Sequence, residues 1–547
     1  MRILWVAFGV WFLAFGFCQV ASCAPLLNLK ELQTKPKGVA RDFYIWEFIT
    51  HKDTSLKDSL EAYKLVYNEI PKLKAALEKK GFHAQMPKNI ACSKLAYENL
   101  KNKDAQCIAY ALRLGAVPAM SQAQVDFFVS KLKATHPNIV QKIQILRSKD
   151  IKESMLNASA QIFAEVYNSL SYNQRAQIFG TPTKPESLKI LANANRYSFN
   201  RILQNVILDG GFVEFKKSIS RADLSGIKDA NTLFLLGINE VRIGKKDKAM
   251  KYFALSRTNA ADPFFRDRAI FWQYLLSDNV AFLNDLQASK YADIFSIYAN
   301  QKLKTTPNYQ IISHFENLSS TNPKLDIKDP FAWQILRDNM PKESSKLKAI
   351  AKDFSFELTI PHLAFVNNRI NKYSINYFIM PYTENLKWRD NSQKAMALAV
   401  AKQESTFLPA LVSRSYALGM MQIMPFNVEP FARKLKKPDI TLESMFDPVI
   451  AYEFGRMYLD ELNREFSHPL FNAYAYNGGP GFLRKTLSKK RLFIKSRKYE
   501  PWISLELLPV EETRFYGMRV LANYVIYQQI LGTEVDIESL LKKTLRY

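Results

Sequence analysis

The chain has 547 residues, of which 48% are hydrophobic and 23% charged, with a formal net charge of +25 at pH 7. That length exceeds one ordinary core and predicts two or three domains, while the composition excludes an intrinsically disordered chain. The charge calls for an anionic partner or for a solvated, self-repelling surface.

The N-terminus reads as an export signal: Arg2, an apolar run from Ile3 to Phe17, then the small residues Ala21 and Ser22. Residues 1–23 are therefore expected to be a signal peptide and the mature chain to be periplasmic. Val20-Ala21-Ser22-Cys23 resembles the box that precedes a lipidated cysteine, which makes Cys23 a candidate for an outer-membrane anchor. The alternatives are cleavage near Ser22 or Cys23, or an uncleaved anchor, since Ile3 to Ala21 approaches spanning length. Export also moves the expected anion from nucleic acid to the cell wall, whose stem peptides carry carboxylates, or to membrane headgroups.

Beyond the signal only Cys92 and Cys107 remain. One disulfide in an oxidising compartment suits this pair, and two buried thiols are the alternative. The six histidines show no zinc-ligand spacing, so neither a metal nor another cofactor is expected.

Residues 24–335 are dominated by segments of period near 3.6, with turns marked by Pro, Gly or Asn. In Asn231 to Arg257, Leu233, Leu236, Gly237, Glu240 and Val241 share a helix face, Gly244-Lys245-Lys246-Asp247 turns, and Ala249 and Phe253 lie on the return helix. This pattern is similar to a tetratricopeptide-like hairpin and predicts an α-superhelix of stacked helix pairs, although no strict period runs through the region. The aromatics here are expected to be core packing, with a glycan-binding stripe as the sharper alternative. A helical connector is expected over 336–382 and a separate α domain over 383–547, so the fold class is mainly α.

Chemistry concentrates in the last domain. Asp390 or Asn391 can cap a helix whose apolar side includes Met396, Ala399, Val400 and Phe407, and Glu404 lies on that side. No other acid occurs between Glu404 and Glu429. Desolvation of a lone carboxyl raises its pKa toward the range of a general acid. An isolated glutamate of this kind more often reaches solvent at the edge of the stripe, and its neighbours decide the matter here.

Ala401-Lys402-Gln403-Glu404-Ser405, Gly419-Met420-Met421-Gln422-Ile423-Met424-Pro425 and Ala475-Tyr476-Asn477-Gly478-Gly479-Pro480-Gly481 follow in order. A weaker block runs from Glu506 to Pro509, with Glu512-Thr513-Arg514 and Tyr516 after it. Across roughly 390–520 these blocks resemble the soluble lytic transglycosylase family, whose catalytic domain looks like goose-type lysozyme. The chain departs from the family pattern at Gly478, where Ala is usual, at Met420, where Leu is usual, and at Tyr416, where Gly is frequent.

The resemblance implies roles residue by residue. Glu404 falls on the catalytic acid and base, and Ser413, Gln422 and Met424 on positions lining the sugar groove. Tyr476 falls on an active-site tyrosine, Asn477 joins the substrate-binding set, and Glu506 falls on a second carboxylate near the groove. Read from the residues alone, Ser413 can stabilise a turn, Met424 can be core, and Tyr476 can pack on the Glu404 helix with its hydroxyl satisfied locally. The glycine run at 478–481 is expected to supply positive backbone angles for a tight turn.

The implied reaction is cleavage of the bond joining N-acetylmuramic acid to N-acetylglucosamine in peptidoglycan, with closure of a 1,6-anhydro ring. The alternatives are a hydrolytic muramidase, which would use Glu506 as second carboxylate, and an inactive wall-binding scaffold. The expected partners are glycan strands, and cell-wall synthesis or division proteins are candidates for the superhelix.

Overall fold

The computed structural model describes residues 26–82, 88–384 and 386–546. The segment expected to be a signal peptide, with Cys23, lies outside them. The chain forms two compact units, Met1–His83 and Ala84–Tyr547.

In the first unit the helix Val39–Thr50 packs against Pro71–Lys79. Its Asp42 is buried, and both carboxylate oxygens accept backbone N–H groups, from Tyr67 and Asn68, at 2.8 Å. That carboxylate therefore replaces lost water contacts and fixes the chain's return after Tyr63.

The second unit is helical almost throughout, as the periodicity predicts. The helix Lys88–Ser93 is tied to Ala105–Ala111 by a Cys92–Cys107 disulfide with a Cα–Cα distance of 5.2 Å. Further on, Ala230–Ile243 and Lys246–Asn259 form the antiparallel hairpin read from the sequence. Gly244 ends its first helix at φ +82, with its N–H on the Glu240 and Val241 carbonyls. Gly237 faces Phe253 so closely that an added Cβ would lie 2.6 Å from the ring. A small residue opposite a phenylalanine is what lets the two helices approach. Glu240, on the predicted apolar face, is fully buried and accepts a 2.7 Å hydrogen bond from Ser220. Pro263–Ser277, Val280–Gln287 and Ile294–Leu303 continue the stack, each on its predecessor.

The connector region contains Ser344–Lys352 and Ile360–Ile370, which bury Leu347, Phe354, Leu363 and Val366 in a small core of their own. It also contains a strand the helical reading lacked. Ile375–Tyr377 pairs in parallel with Gln310–Ile312 in the register Gln310↔Ile375. Three residues are too few to show a period in sequence, and it is the partner, over sixty residues away, that makes them a strand.

The C-terminal domain is built around two helices, Asn391–Ser405 and Glu511–Ile530, packed along each other. Asp390 caps the first, accepting the Gln393 N–H at 2.7 Å. Residues 395–401 are buried without a gap, so this helix is enclosed on all sides instead of presenting one apolar stripe. It ends at Ser405. Phe407 is buried but lies beyond the helix, in left-handed backbone at φ +67, so it does not share the helix face expected for it. Pro448–Phe466 covers another side, and Pro469–Gly478 packs against Glu511–Ile530.

Candidate active site

Glu404 sits one residue before the end of its helix, where the enclosing elements part and leave its side chain half-buried. Tyr516 of the long C-terminal helix donates its hydroxyl to Glu404 Oε1 at 2.7 Å. Burial pushes the Glu404 carboxyl up to about 7; the Tyr516 hydrogen bond opposes this and the charge of exposed Glu512 adds to it. A group poised there exchanges a proton readily in both directions near neutral pH.

The loop opposite is held at both ends. Ser405 Oγ donates to the Met420 carbonyl at 2.7 Å, and Tyr476 donates its hydroxyl to the Met421 carbonyl at 2.8 Å. Gly419 is required twice over: its φ is +70, and a Cβ would collide with the Met445 carbonyl. Tyr416 is buried at φ +64, the backbone region that favours glycine, and Gln422 is also left-handed at φ +49. Met421 lies against Gly455 of the helix Pro448–Phe466, where there is no room for a Cβ.

Tyr476 thus packs beside the Glu404 helix end with its hydrogen spent on a carbonyl, while its ring meets Tyr458 at 5.4 Å. Both Tyr476 and Tyr516 are held well above the usual phenol range, first by burial and then by the Glu404 charge. They remain neutral hydroxyls at any working pH.

The other residues singled out from the sequence fall into two groups. Gln422 is half-buried on the loop; its Nε2 donates to the carbonyls of Gly419 at 2.7 Å and Leu411 at 3.3 Å, and its Oε1 has no protein partner among the described residues. Ser413 Oγ accepts the Ala417 N–H at 2.9 Å, which makes it a turn-former. Met424 is half-buried just before the helix Pro425–Lys434, and Asn477 Oδ1 accepts from Thr513 Oγ1 at 2.7 Å. Of the glycines at 478, 479 and 481, only Gly479 has a positive φ, +85. Gly478 serves a different need: a Cβ there would press on Phe482 and Thr513.

Glu506 stands apart. It is 1% exposed, and Oε2 accepts from Arg268 Nε at 2.9 Å and Nη2 at 2.6 Å while Oε1 accepts from Trp272 Nε1 at 3.2 Å. A carboxylate so enclosed faces no groove, which corrects its assignment as a second carboxylate near the substrate. It joins the short helix Trp502–Leu507 to the stacked helix Pro263–Ser277.

Two neighbours of Glu404, Tyr516 and Glu512, were noted from the sequence only as parts of a weak block and given no role. Phe426, two residues beyond Met424, is 68% exposed, an unusual state for a phenylalanine. No group of three or more metal-ligating side chains occurs among the described residues, and no described helix is long and apolar enough to cross a membrane.

An enclosed helical pair thus presents one poised carboxyl, two neutral tyrosines and a tethered loop. Residues 381–497 match the Transglycosylase SLT domain. The chain is 30% identical over 160 residues to the soluble lytic murein transglycosylase of Salmonella typhimurium, covering 29% of this chain and 24% of that protein. It is also 30% identical over 156 residues to its counterpart from Escherichia coli, covering 28% and 23%. The aligned region thus spans about a quarter of the length of these relatives. A crystal structure of an inactive mutant of the lytic transglycosylase Slt from Pseudomonas aeruginosa superposes with a TM-score of 0.51 at 14% identity, over 91% of this chain and 83% of that one. The likeness in fold therefore extends beyond the matched domain into the stacked helices.

Proposed function

We propose that the protein is a lytic transglycosylase that cuts the β-1,4 bond between N-acetylmuramic acid and N-acetylglucosamine of peptidoglycan and leaves 1,6-anhydro ends. The observation that carries this reading is the half-buried Glu404 carboxyl at about 7 with Tyr516 on Oε1. With Glu506 sealed against Arg268, the two-carboxylate arrangement of hydrolytic glycosidases is missing its second member.

Protonated Glu404 donates to the glycosidic oxygen as the bond breaks. The resulting carboxylate then takes the proton from the C6 hydroxyl of the same muramic sugar, whose oxygen attacks C1. Glu404 returns to its starting state without activating water, and the internal nucleophile acts at high effective concentration. Tyr516 keeps one carboxyl oxygen oriented so that the other can face the bond. The free Oε1 of Gln422 is suited to a sugar hydroxyl or N-acetyl N–H, with Met424 and Asn477 flanking. Ser413 and Tyr476 act by shaping the loop, and Tyr476 retains lone pairs toward developing positive charge.

The expected site of action is the periplasm, at the outer membrane if Cys23 is acylated, with glycan strands as the partner and no cofactor. The stacked helices are available to recruit wall-synthesis or division proteins. Mass spectrometry of purified sacculi digested with wild type and Glu404→Gln tests the reading. Products one water lighter than reducing muropeptides support it, and reducing ends, or undiminished cleavage by Glu404→Gln, refute it.

A further inference from the structure

A cavity of about 480 Å³ opens between the stacked helices and the C-terminal domain, and none of the residues assigned above to the Glu404 site lines it. Asp209 and Gly210, which follow the helix Tyr197–Leu208, and Arg242 form one wall; Lys489, Arg491 and Arg497, which follow the helix Pro480–Ser488, form the other.

Its charges do not balance. Arg497 is satisfied by Glu500, to which its Nε donates at 2.8 Å. Arg242 donates only to the Ile207 carbonyl, at 2.9 Å, and neither it, Lys489 nor Arg491 has a carboxylate partner among the described residues. The one acid in the lining, Asp209, has Oδ1 engaged by the Gly211 N–H at 2.6 Å and the Tyr172 hydroxyl at 3.4 Å. Arg491 lies against Gly210, where a Cβ would displace its guanidinium, so the absent side chain makes its seat.

Behind this wall stands a further cation. Lys216 is 7% exposed, and its ammonium donates to the Asp209 carbonyl at 2.7 Å. Burial, then repulsion from Arg242, holds it down at about 8, with Asp209 pulling the other way. Arg242, Lys489 and Arg491 are exposed, and cations gathered around a concave space focus a positive potential that draws in an anion.

We infer that this cavity binds a small ligand bearing two or more carboxylate or phosphoryl groups, at a site separate from the Glu404 cleft. Guanidinium forks bind both groups bidentately, and a single charge would leave the excess uncompensated. The volume is within the range of small-molecule sites and too large for one phosphate to fill. Since the walls come from different parts of the fold, a bound ligand ties the stacked helices to the C-terminal domain and stabilises the folded chain by mass action.

Calorimetric titration and thermal unfolding of the full chain, with citrate and with pyrophosphate against sodium chloride at matched ionic strength, test this. Citrate and pyrophosphate separate carboxylate from phosphoryl preference. At least one is expected to bind and to raise the melting temperature, and Arg242→Gln/Arg491→Gln to weaken binding at least about tenfold. Sacculus cleavage should stay unchanged in that variant. Lys489→Gln/Arg491→Gln, which leaves the partly covered Arg242 in place, serves if the first pair fails to fold. Absence of binding beyond the chloride control, or undiminished binding in a folded variant, overturns the inference.

Discussion

Tyr516 reaches Glu404 across 112 residues of sequence, its hydroxyl 2.7 Å from Oε1. This bond favours the carboxylate while burial favours the acid, and the carboxyl comes to rest at about 7 because burial prevails. Replacing the tyrosine therefore changes both the acidity and the aim of the proposed catalytic group.

In Tyr516→Phe the Glu404 pKa should rise, since the hydrogen bond that lowers it is lost. The first step needs the acid form, so kcat/KM falls as pH climbs through that pKa, and this basic limb should move upward in the variant. The maximal rate should drop roughly tenfold, the effect of one lost positioning hydrogen bond. A pH–rate profile on soluble glycan strands measures both. An unmoved or acid-shifted limb would show that the hydroxyl does not act on Glu404.

Glu404 should also leave a mark on stability. Its folded pKa is raised above its ordinary value of 4.5, so the carboxylate penalises the fold; the penalty is complete above pH 7 and vanishes below about pH 4.5. The shift corresponds to at most about 3 kcal/mol, and to roughly half that for a side chain with some solvent access. Glu404→Gln should therefore melt higher than wild type at pH 8 and equally at pH 4.5. Calorimetric scans at the two pH values give the comparison, and equal melting at both would contradict the assigned burial.

Arg268 and Glu506 are 0% and 1% exposed, and removing one partner strands the other. Glu506→Ala should cost about 3–5 kcal/mol and reduce soluble yield. The folded fraction should still release anhydro products, because Glu506 serves the seam between helices and not the bond cleaved. Product analysis normalised to folded protein separates this from a catalytic role, for which activity per folded molecule would fall by orders of magnitude.

Gly517 follows Tyr516 and meets the Tyr474 ring so closely that any Cβ would force the two helices apart. Gly517→Ala should destabilise by about 1–3 kcal/mol, the usual cost of overpacking. It should also reduce turnover more than substrate affinity, since it shifts the helix that carries Tyr516. Thermal unfolding together with separate kcat and KM values would reveal a purely structural effect as lowered stability with unchanged kcat.

Sequence alone determined what depends on neighbours within a turn or two. Helical periodicity announced the Gly237–Phe253 hairpin, Asp390 the start of the Glu404 helix, and an acid amid Ala, Val and Met the candidate catalytic group. Tertiary structure decided who meets whom. It brought Tyr516 to Glu404, spent the Tyr476 hydroxyl on the Met421 carbonyl, paired Ile375–Tyr377 with a distant strand and enclosed Glu506 with Arg268. The physical reason is that a local pattern specifies which face of an element avoids water, whereas a buried polar group's partner is set by how elements hundreds of residues apart pack, and the same carboxyl is an acid in one packing and half of an ion pair in another.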